Sequence, residues 1–199
     1  MVKEVLQIMS LLYLRTAKTA SSSVNAWMGP KTGSTFNQRF LTEPPNDLKV
    51  SKALEYNHYI FTTVRNPFTR AVSCWQQSIR SSWIPKNASF EFFLDLDFSQ
   101  ITNTHNKTHV IPIVEYLEPY LCDINKVVKV EHLEKDLREI EEKFNMKKRP
   151  IKAYNRGTYR TPRDSFDYKS FYTKERIERV LDKYADDFIA FDYSKSIDF

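Results

Sequence analysis

A chain of 199 residues is long enough for one domain with a sizeable core, and its 41% hydrophobic and 14% aromatic content is that of a folded protein. The net charge of +5 favours an anionic partner. Only three glycines occur, Gly29, Gly33 and Gly157, which excludes a dinucleotide-binding GxGxxG fingerprint. The sequence therefore predicts a single domain over residues 1–199 with an anionic ligand.

Metal and disulfide chemistry have little support in the sequence. The two cysteines, Cys74 and Cys122, make neither a CxxC metal pair nor a disulfide framework, and we expect two free thiols in or near the core. The four histidines lack the spacing of a zinc motif such as HExxH; they are His58, His105, His109 and His132. We therefore expect no metal site.

The apolar run over residues 5–14 is far shorter than the roughly 20 residues that a membrane span needs. It has the length of a signal-peptide core, but we interpret it as the first core strand because the loop after it needs that support. No leader or anchor is evident. We therefore expect no stable membrane insertion and a cytoplasmic location, with the Golgi lumen only if an anchor is missing from this chain.

The first strand, residues 11–14, runs into a loop that suits an anion. Lys18 lies in this loop, and a helix is predicted over residues 22–28, ending at Gly29 and Pro30. The residues after the lysine are small or carry hydroxyls: Thr19, Ala20, Ser21, Ser22 and Ser23. Backbone N–H groups at a helix N-terminus, with hydroxyls and a lysine, bind phosphate or sulfate, although the Walker A glycines are missing. A serine-rich cap on an ordinary helix is the alternative.

A second strand–loop–helix unit follows an irregular segment (residues 30–46) and an amphipathic helix (residues 48–56). Residues 59–64, YIFTTV, are the strongest strand of the chain, and Asn66-Pro67 is typical of a helix start. Arg65 stands at the carboxyl end of this strand, where open α/β sheets bind their ligands. The Arg65 guanidinium can bind a phosphate in a bidentate manner, and Ser73 can donate a hydroxyl hydrogen bond to it. A structural salt bridge is the alternative role for Arg65.

The rest of the chain adds one strand and several helices. We predict helices over 89–96 and 132–144, a loop over 99–110, a broken helical stretch over 110–120, a strand over 126–130 and a long helix over 173–191. Residues 146–163 carry seven basic and no acidic side chains. Strands alternating with helices predict an α/β fold, a three-layer α/β/α domain with a small central parallel sheet.

Four blocks of the sequence resemble one family. Lys18 and the five residues after it resemble the loop that grips the 5′-phosphosulfate in sulfotransferases that use 3′-phosphoadenosine 5′-phosphosulfate (PAPS). Residues 65–73, RNPFTRAVS, look like the 3′-phosphate motif of those enzymes. The blocks VVKVEHLEKDL and FYTKERIERVLDKYADDFIAFDYS are similar to the last strand–helix unit and the carboxyl-terminal helix of carbohydrate sulfotransferases of the heparan and chondroitin type. One departure is Ala17, where the family usually has proline.

The resemblance implies a P-loop-like phosphosulfate-binding loop and the in-line transfer of a sulfonate from PAPS to an acceptor hydroxyl, with a carbohydrate expected as acceptor. PAP (3′-phosphoadenosine 5′-phosphate) would be the product, and no metal is required. Lys18 would contact the sulfonate and the bridging oxygen, Thr19 to Ser23 the 5′-phosphate, and Arg65 and Ser73 the 3′-phosphate. By a looser match, Arg156, Gly157 and Thr158 would close over the 3′-phosphate.

The residue that takes the acceptor's proton stays open at this point. Relatives carry a histidine or glutamate between the first helix and the second anion-binding strand, where Glu43, Asp47, Glu55 and His58 stand. His58 is rejected, since it lies roughly 20 Å from Arg65 at the far end of the strand. His109 belongs to HVIPIVEYL, which faintly resembles an HxxP stretch of the family. For Glu43, Asp47 and His109 a surface or structural role is the alternative.

Two other functions remain open in the sequence. A P-loop-like kinase would need a carboxylate for Mg²⁺ at the end of a strand, and Glu131 is the only candidate. A basic RNA-binding domain would interleave aromatic and basic residues, as Tyr154 and Tyr159 do in part, but leaves the lysine loop unexplained. We expect no nucleic-acid partner, and the oligomeric state stays open. Trp27, Trp75 and Trp83 are candidates for holding an acceptor, Trp75 being better suited to the core.

Overall fold

The computed structural model describes residues 10–29, 39–41, 58–151 and 167–197. Its strands are β1 (Ser10–Leu14), β2 (Arg39–Leu41), β3 (His58–Val64) and β4 (Lys126–Lys129). Its α-helices are α1 (Ser21–Met28), α2 (Pro67–Arg80), α3 (Phe90–Asp95), α4 (Thr104–Val110), α5 (Ile113–Leu117), α6 (Leu133–Lys143), α7 (Lys174–Lys183) and α8 (Ala185–Ala190). Short 3₁₀ helices occupy Phe98–Gln100, Glu118–Asp123, Val130–His132 and Tyr168–Phe171.

The four strands form a parallel sheet in the order β2-β1-β3-β4. β1 lies between β2 and β3, so the strand order reverses on either side of it. In open α/β sheets ligands bind at such a switch point, outside the carboxyl ends of the strands. The loops after β1 and β3 stand side by side there, because Leu14 pairs with Thr62 and β3 ends two residues later.

Helices cover both faces of the sheet. On one face, Leu11 and Tyr13 of β1 pack with Trp27 of α1 and Leu137 of α6. On the other face, successive strand residues point the opposite way, and the cluster consists of Leu12, Leu14, Ile60, Val64, Ile113, Leu117, Tyr120 and Phe191. This arrangement confirms the predicted three-layer α/β/α fold with a small parallel sheet.

A third, aromatic-rich core joins α2 to α3 and α7. Phe68 of α2 packs edge-on against Tyr172 and Phe188, with ring centroids 5.3 and 5.0 Å apart. Trp75 packs on Phe90, and its Nε1 donates to the Ala88 carbonyl at 3.0 Å, as befits the core position predicted for it. Phe68, Trp75 and their partners thereby fix α2, the helix that follows the Arg65 turn.

The helix starts follow the predicted capping chemistry. Asn66 accepts a hydrogen bond from Phe68 N at 3.0 Å and Pro67 opens α2. Ser89 caps α3 through Phe92 N, and Thr173 caps α7 through Arg176 N. Local pairing between a polar side chain and the first-turn N–H groups is therefore readable from sequence.

Several predictions were wrong. Residues 99–110, predicted as a loop, contain α4, capped by Asn103 through Asn106 N at 3.0 Å. The segment 30–46 contains β2. The long helix predicted over 173–191 is interrupted at Tyr184, whose backbone (φ −121°, ψ 26°) leaves the helical region. Both cysteines are free, but Cys122 is exposed while Cys74 is buried. The predicted helix over 48–56 lies outside the described residues.

None of the described helices is both long and apolar enough to cross a membrane.

Glu141 of α6 organises a buried polar network at the end of α1. Its carboxylate accepts from Trp27 Nε1 and Arg149 N, both at 2.8 Å, and from Arg138 Nη1 at 2.6 Å. Arg149 also donates to the Trp27 and Met28 carbonyls, where a cation complements the helix dipole. Trp27 is only 1% exposed, so the suggestion that it holds an acceptor was wrong.

We expect Glu141→Gln to lower the free energy of unfolding by about 2–3 kcal/mol, because the buried donors lose their charged acceptor. Burial raises the pKa of Glu141, but the hydrogen bonds from Arg138, Arg149 N and Trp27 outweigh it, so the pKa lies below the ordinary value. The carboxylate therefore stabilises the fold above the ordinary glutamate pKa, and this contribution disappears as the pH falls through the lowered pKa.

Urea unfolding of wild type and Glu141→Gln at several pH values tests this. Glu139→Gln on the same helix is the matched control, since Glu139 forms an exposed ion pair with Lys126 at 2.6 Å that should contribute little. Equal midpoints for the two variants at neutral pH would show that the buried network does not stabilise the fold.

Candidate active site

The loop after β1 bends sharply through residues that are not glycine. Lys18 (φ 66°) and Ala20 (φ 59°) both adopt the left-handed conformation. Each such residue costs about 1–2 kcal/mol, and strain of this kind persists where the surrounding structure enforces it, often at functional sites. Turns of this type gather backbone N–H groups into a concave anion-binding surface. The chain thus makes this sharp turn without the Walker A glycines.

Buried hydroxyl groups fasten this loop to β3. Thr19 Oγ1 donates to the Thr16 carbonyl at 3.0 Å and lies 2.8 Å from Thr63 Oγ1. Thr63 Oγ1 in turn lies 2.7 Å from the Tyr13 hydroxyl, and Thr16 Oγ1 bonds the Thr63 carbonyl. The Thr19 hydroxyl therefore forms hydrogen bonds within the protein. The phosphate contact predicted for Thr19 would then be made by its backbone N–H.

The N-terminus of α1 lies directly after the loop. Its N-cap, Ala20, has no side chain able to cap the helix, and the Ala20 carbonyl accepts from Ser23 N and Val24 N at 2.9 and 3.1 Å. Ser21 and Ser23 are buried, and Ser22 is half-buried. The positive end of the helix dipole and the first-turn N–H groups thus lie next to Lys18, as an anion site requires.

Four cations share the space around Lys18. Lys18 Nζ donates to Gln77 Oε1 at 3.3 Å, an oxygen that also accepts from Arg80. Burial lowers the pKa of Lys18, and the charges of Arg80, Arg65 and Arg70 lower it further. Within the described residues no carboxylate forms an ion pair with Lys18, Arg65 or Arg80. The net positive charge of these side chains fits an anionic ligand.

Arg65 is the second predicted anion ligand, and it follows β3 at the same edge of the sheet. Its Nε donates to Thr69 Oγ1 at 2.9 Å, while in the described part of the chain its two terminal amino groups have no hydrogen-bond partner. Burial lowers its pKa, against the opposing charge of Glu131. Ser73 is half-buried on α2, one turn before Gln77. The hydrogen bond to Thr69 orients the Arg65 guanidinium, and its two terminal amino groups could bind a phosphate in a bidentate manner.

Glu131, which follows β4, forms a hydrogen bond with the turn that carries Arg65. Its Oε1 accepts from Asn66 N at 2.8 Å, and its Oε2 accepts from the Tyr193 hydroxyl at 2.9 Å. Both oxygens of the carboxylate that a kinase would need for Mg²⁺ are thus engaged in structural contacts. The described residues also contain no group of three histidine, cysteine or acidic side chains placed to hold a metal ion.

His109 lies half-buried on α4, within electrostatic range of Lys18 and Arg70. Its Nδ1 lies 2.8 Å from the His105 carbonyl, which can only accept, so Nδ1 carries the proton and Nε2 is the basic nitrogen of the neutral ring. Burial lowers the pKa of His109, and the charges of His105, Lys18 and Arg70 lower it further. The hydrogen bond to the His105 carbonyl partly offsets this lowering. Of the three candidate bases, His109 is the one that lies within the described residues, and the charge of Lys18 acts on it.

The remaining predicted site residues lie outside the described residues and stay predictions: Glu43, Asp47, Arg156, Gly157 and Thr158. Sequence reasoning missed Gln77 and Arg80. Gln77 follows Ser73 by four residues, so the helical period already placed it on the same face of α2. Arg80, a further turn along, had no signal beyond its charge.

The structure is that of an α/β protein with a strained loop, which carries Lys18, at the carboxyl edge of a parallel sheet. The sequence model of the sulfotransferase family matches residues 7–194. The chain therefore belongs to the sulfotransferase family, whose members are transferases of sulfonyl groups. Searches of curated proteins and of solved structures found no match.

Proposed function

We propose that this sulfotransferase uses PAPS as donor and sulfates a hydroxyl of a carbohydrate acceptor by in-line displacement. The observation that carries the proposal is the group of cations Lys18, Arg65 and Arg80 around a loop whose geometry suits a phosphate. A bound polyanion would offset the repulsion between their like charges.

The presence of two predicted anion sites on neighbouring strands supports a 3′,5′-bisphosphate rather than a single phosphate. β1 and β3 are neighbours in the sheet, so the Lys18 loop and the Arg65 turn start from adjacent strand ends. The loop and the α1 N-terminus would hold the 5′-phosphosulfate, and Arg65 with Ser73 the 3′-phosphate. These roles follow the motif resemblance, and the unpaired amino groups of Arg65 fit them.

When bound, PAPS supplies the sulfonate: the acceptor oxygen bonds to sulfur as the bond from sulfur to the 5′-phosphate oxygen breaks, and PAP leaves. Lys18 would stabilise the charge that develops on the bridging oxygen. His109 Nε2, kept unprotonated by burial and nearby cations, would take the acceptor's proton. The remaining contribution of the protein is positioning, as in phosphoryl transfer.

The carbohydrate acceptor rests on the similarity of the last two sequence blocks to heparan- and chondroitin-type enzymes. Incubation with [³⁵S]PAPS and a panel of desulfated glycans, phenols and tyrosine peptides tests it. We expect label on at least one glycan and none on the phenols or peptides. Labelling of a phenol or peptide alone would leave a sulfotransferase with a different acceptor.

We expect His109→Gln to reduce transfer by about 10²–10⁴-fold, the usual contribution of a general base. In wild type the base works only when neutral, so kcat/KM falls as the pH drops through the His109 pKa. Because burial and neighbouring charges lower that pKa, the fall should begin below the ordinary histidine range. The pH–rate profile measures this, with His132→Gln, an exposed histidine after β4, as control. An unchanged rate in His109→Gln would move the base to Glu43 or Asp47.

A further inference from the structure

The backbone that carries His109 is held by buried side chains from other elements. Three consecutive carbonyls each accept one hydrogen bond: Cys74 Sγ donates to His109 O at 2.8 Å, the Tyr184 hydroxyl to Val110 O at 2.9 Å and Arg70 Nη2 to Ile111 O at 2.8 Å. Two of the three donors, Arg70 and Cys74, belong to α2, and Tyr184 lies between α7 and α8. The end of α4 is therefore fixed in position.

The residues that follow Ile111 are held through their backbone N–H groups. Asp187 of α8 accepts from Val114 N at 2.9 Å and also hydrogen-bonds the backbone of Ile113. We call Arg70, Cys74, Tyr184 and Asp187 the clamp. Each of these side chains is at most 1% exposed. The clamp thus grips residues 109–114 by both their carbonyls and their amides.

Arg70 extends the clamp to the donor loop. Its Nε donates to the carbonyl of Ala17, the residue before Lys18, at 3.4 Å. Its Nη1 lies 3.7 Å from Asp187 Oδ2, and its guanidinium lies 5.6 Å from the centre of the Tyr184 ring. One buried guanidinium therefore connects the backbone next to Lys18 with the backbone two residues beyond His109.

The arrangement is costly for stability alone. Arg70 Nη1 and Asp187 Oδ2 are both buried and have no hydrogen-bond partner, so this ion pair is imperfect. Apolar residues of similar volume would often stabilise a core as well or better than such a pair. What the pair does achieve is a fixed position of the donor loop relative to the His109 segment.

We propose that the clamp is a positioning device that holds His109 at a set distance from Lys18, so that the base and the leaving-group cation act on the same reacting atoms. This inference rests on the proposed function, in which His109 takes the acceptor's proton. Catalysis depends steeply on such placement, and a displacement of about 1 Å can cost up to about 100-fold in rate. The clamp residues touch no reacting atom and act through the backbone.

Tyr184→Phe against Tyr172→Phe is the matched test. Both variants delete one buried hydroxyl that donates to a backbone carbonyl, but Tyr172 bonds Phe68 O at 2.7 Å and no carbonyl of residues 109–114. The primary measurement is an NMR titration of the His109 ring in the PAP complex, and it needs no acceptor. The His109 signal is identified by its loss in His109→Gln. The second measurement is the rate of PAPS turnover with a glycan that wild type labels.

In Tyr184→Phe we expect the pKa of His109 to rise, because a loosened segment exposes the ring and moves it away from Lys18 and Arg70. We also expect PAPS turnover about 10- to 100-fold slower, with a PAP dissociation constant within about twofold of wild type. Tyr172→Phe should match wild type in both respects. Asp187→Asn, which keeps an oxygen for Val114 N but loses the charge facing Arg70, should shift both readouts in the same direction as Tyr184→Phe.

An unchanged His109 titration in Tyr184→Phe and Asp187→Asn, with turnover equal to that of Tyr172→Phe, would overturn the inference and leave the clamp a structural feature. This result differs from failure of the proposed function, which would appear as wild-type protein that neither binds PAP nor transfers sulfonate.

Discussion

Lys18→Ala is expected to slow sulfonate transfer by about 10²–10³-fold, the usual loss when one group that stabilises transition-state charge is removed. The lysine stands among Arg65, Arg70 and Arg80 and would act on the bridging oxygen as that bond breaks. Because this interaction strengthens in the transition state, the loss should appear in kcat more than in KM for PAPS.

Steady-state transfer from [³⁵S]PAPS, measured over a range of PAPS concentrations, gives both parameters. Lys135→Ala is the control, since Lys135 is an exposed lysine on α6, outside the site. A rise in KM with unchanged kcat would mean that Lys18 only binds the donor, and an unchanged kcat/KM would remove it from the site.

Arg65→Ala is expected to weaken PAP binding by about 10–100-fold and to leave 5′-AMP binding unchanged. A charge-assisted hydrogen bond contributes about 1.5–3 kcal/mol, and 1.4 kcal/mol corresponds to tenfold in affinity. The loss should be confined to the ligand with a 3′-phosphate, since the unpaired amino groups of Arg65 are assigned to that group.

Calorimetry with PAP and with 5′-AMP measures the two affinities. Arg179→Ala, which removes a surface arginine paired with Asp95 at 2.5 Å, is the matched control. Equal weakening of both ligands in Arg65→Ala would show that Arg65 supports the turn through Thr69 instead of reading the 3′-phosphate.

The fold was predictable where local chemistry agrees with tertiary structure. YIFTTV is β-branched and aromatic, and Asn66-Pro67 caps the next helix in the way that its side chains favour. α4 was missed because THNKTHV is polar and lacks a clear apolar stripe, although Asn103 at its start is a common cap. β2 is three residues long and depends on pairing with β1, which no local pattern announces.

The positions of the candidate anion-binding residues were predictable from the sequence, but the residues that hold them in place were not. Lys18 and Arg65 stand at strand ends, and parallel strands bring those ends to one edge of the sheet. The hydroxyls of Tyr13 and Thr63 beneath the loop, and the reach of Arg70 to both Ala17 and Ile111, connect residues about 40 to 50 positions apart. Such contacts depend on how the helices pack, which a single sequence does not specify.

Calorimetric titration of the wild-type protein with PAP, with 5′-AMP and ATP as comparisons and no added metal, tests whether PAPS is the donor. We expect micromolar binding of PAP and much weaker binding of both other nucleotides, because Lys18 and Arg65 lie at adjacent strand ends where a 3′,5′-bisphosphate can meet both. Binding that is indifferent to the 3′-phosphate, or that prefers ATP, would contradict PAPS as the donor.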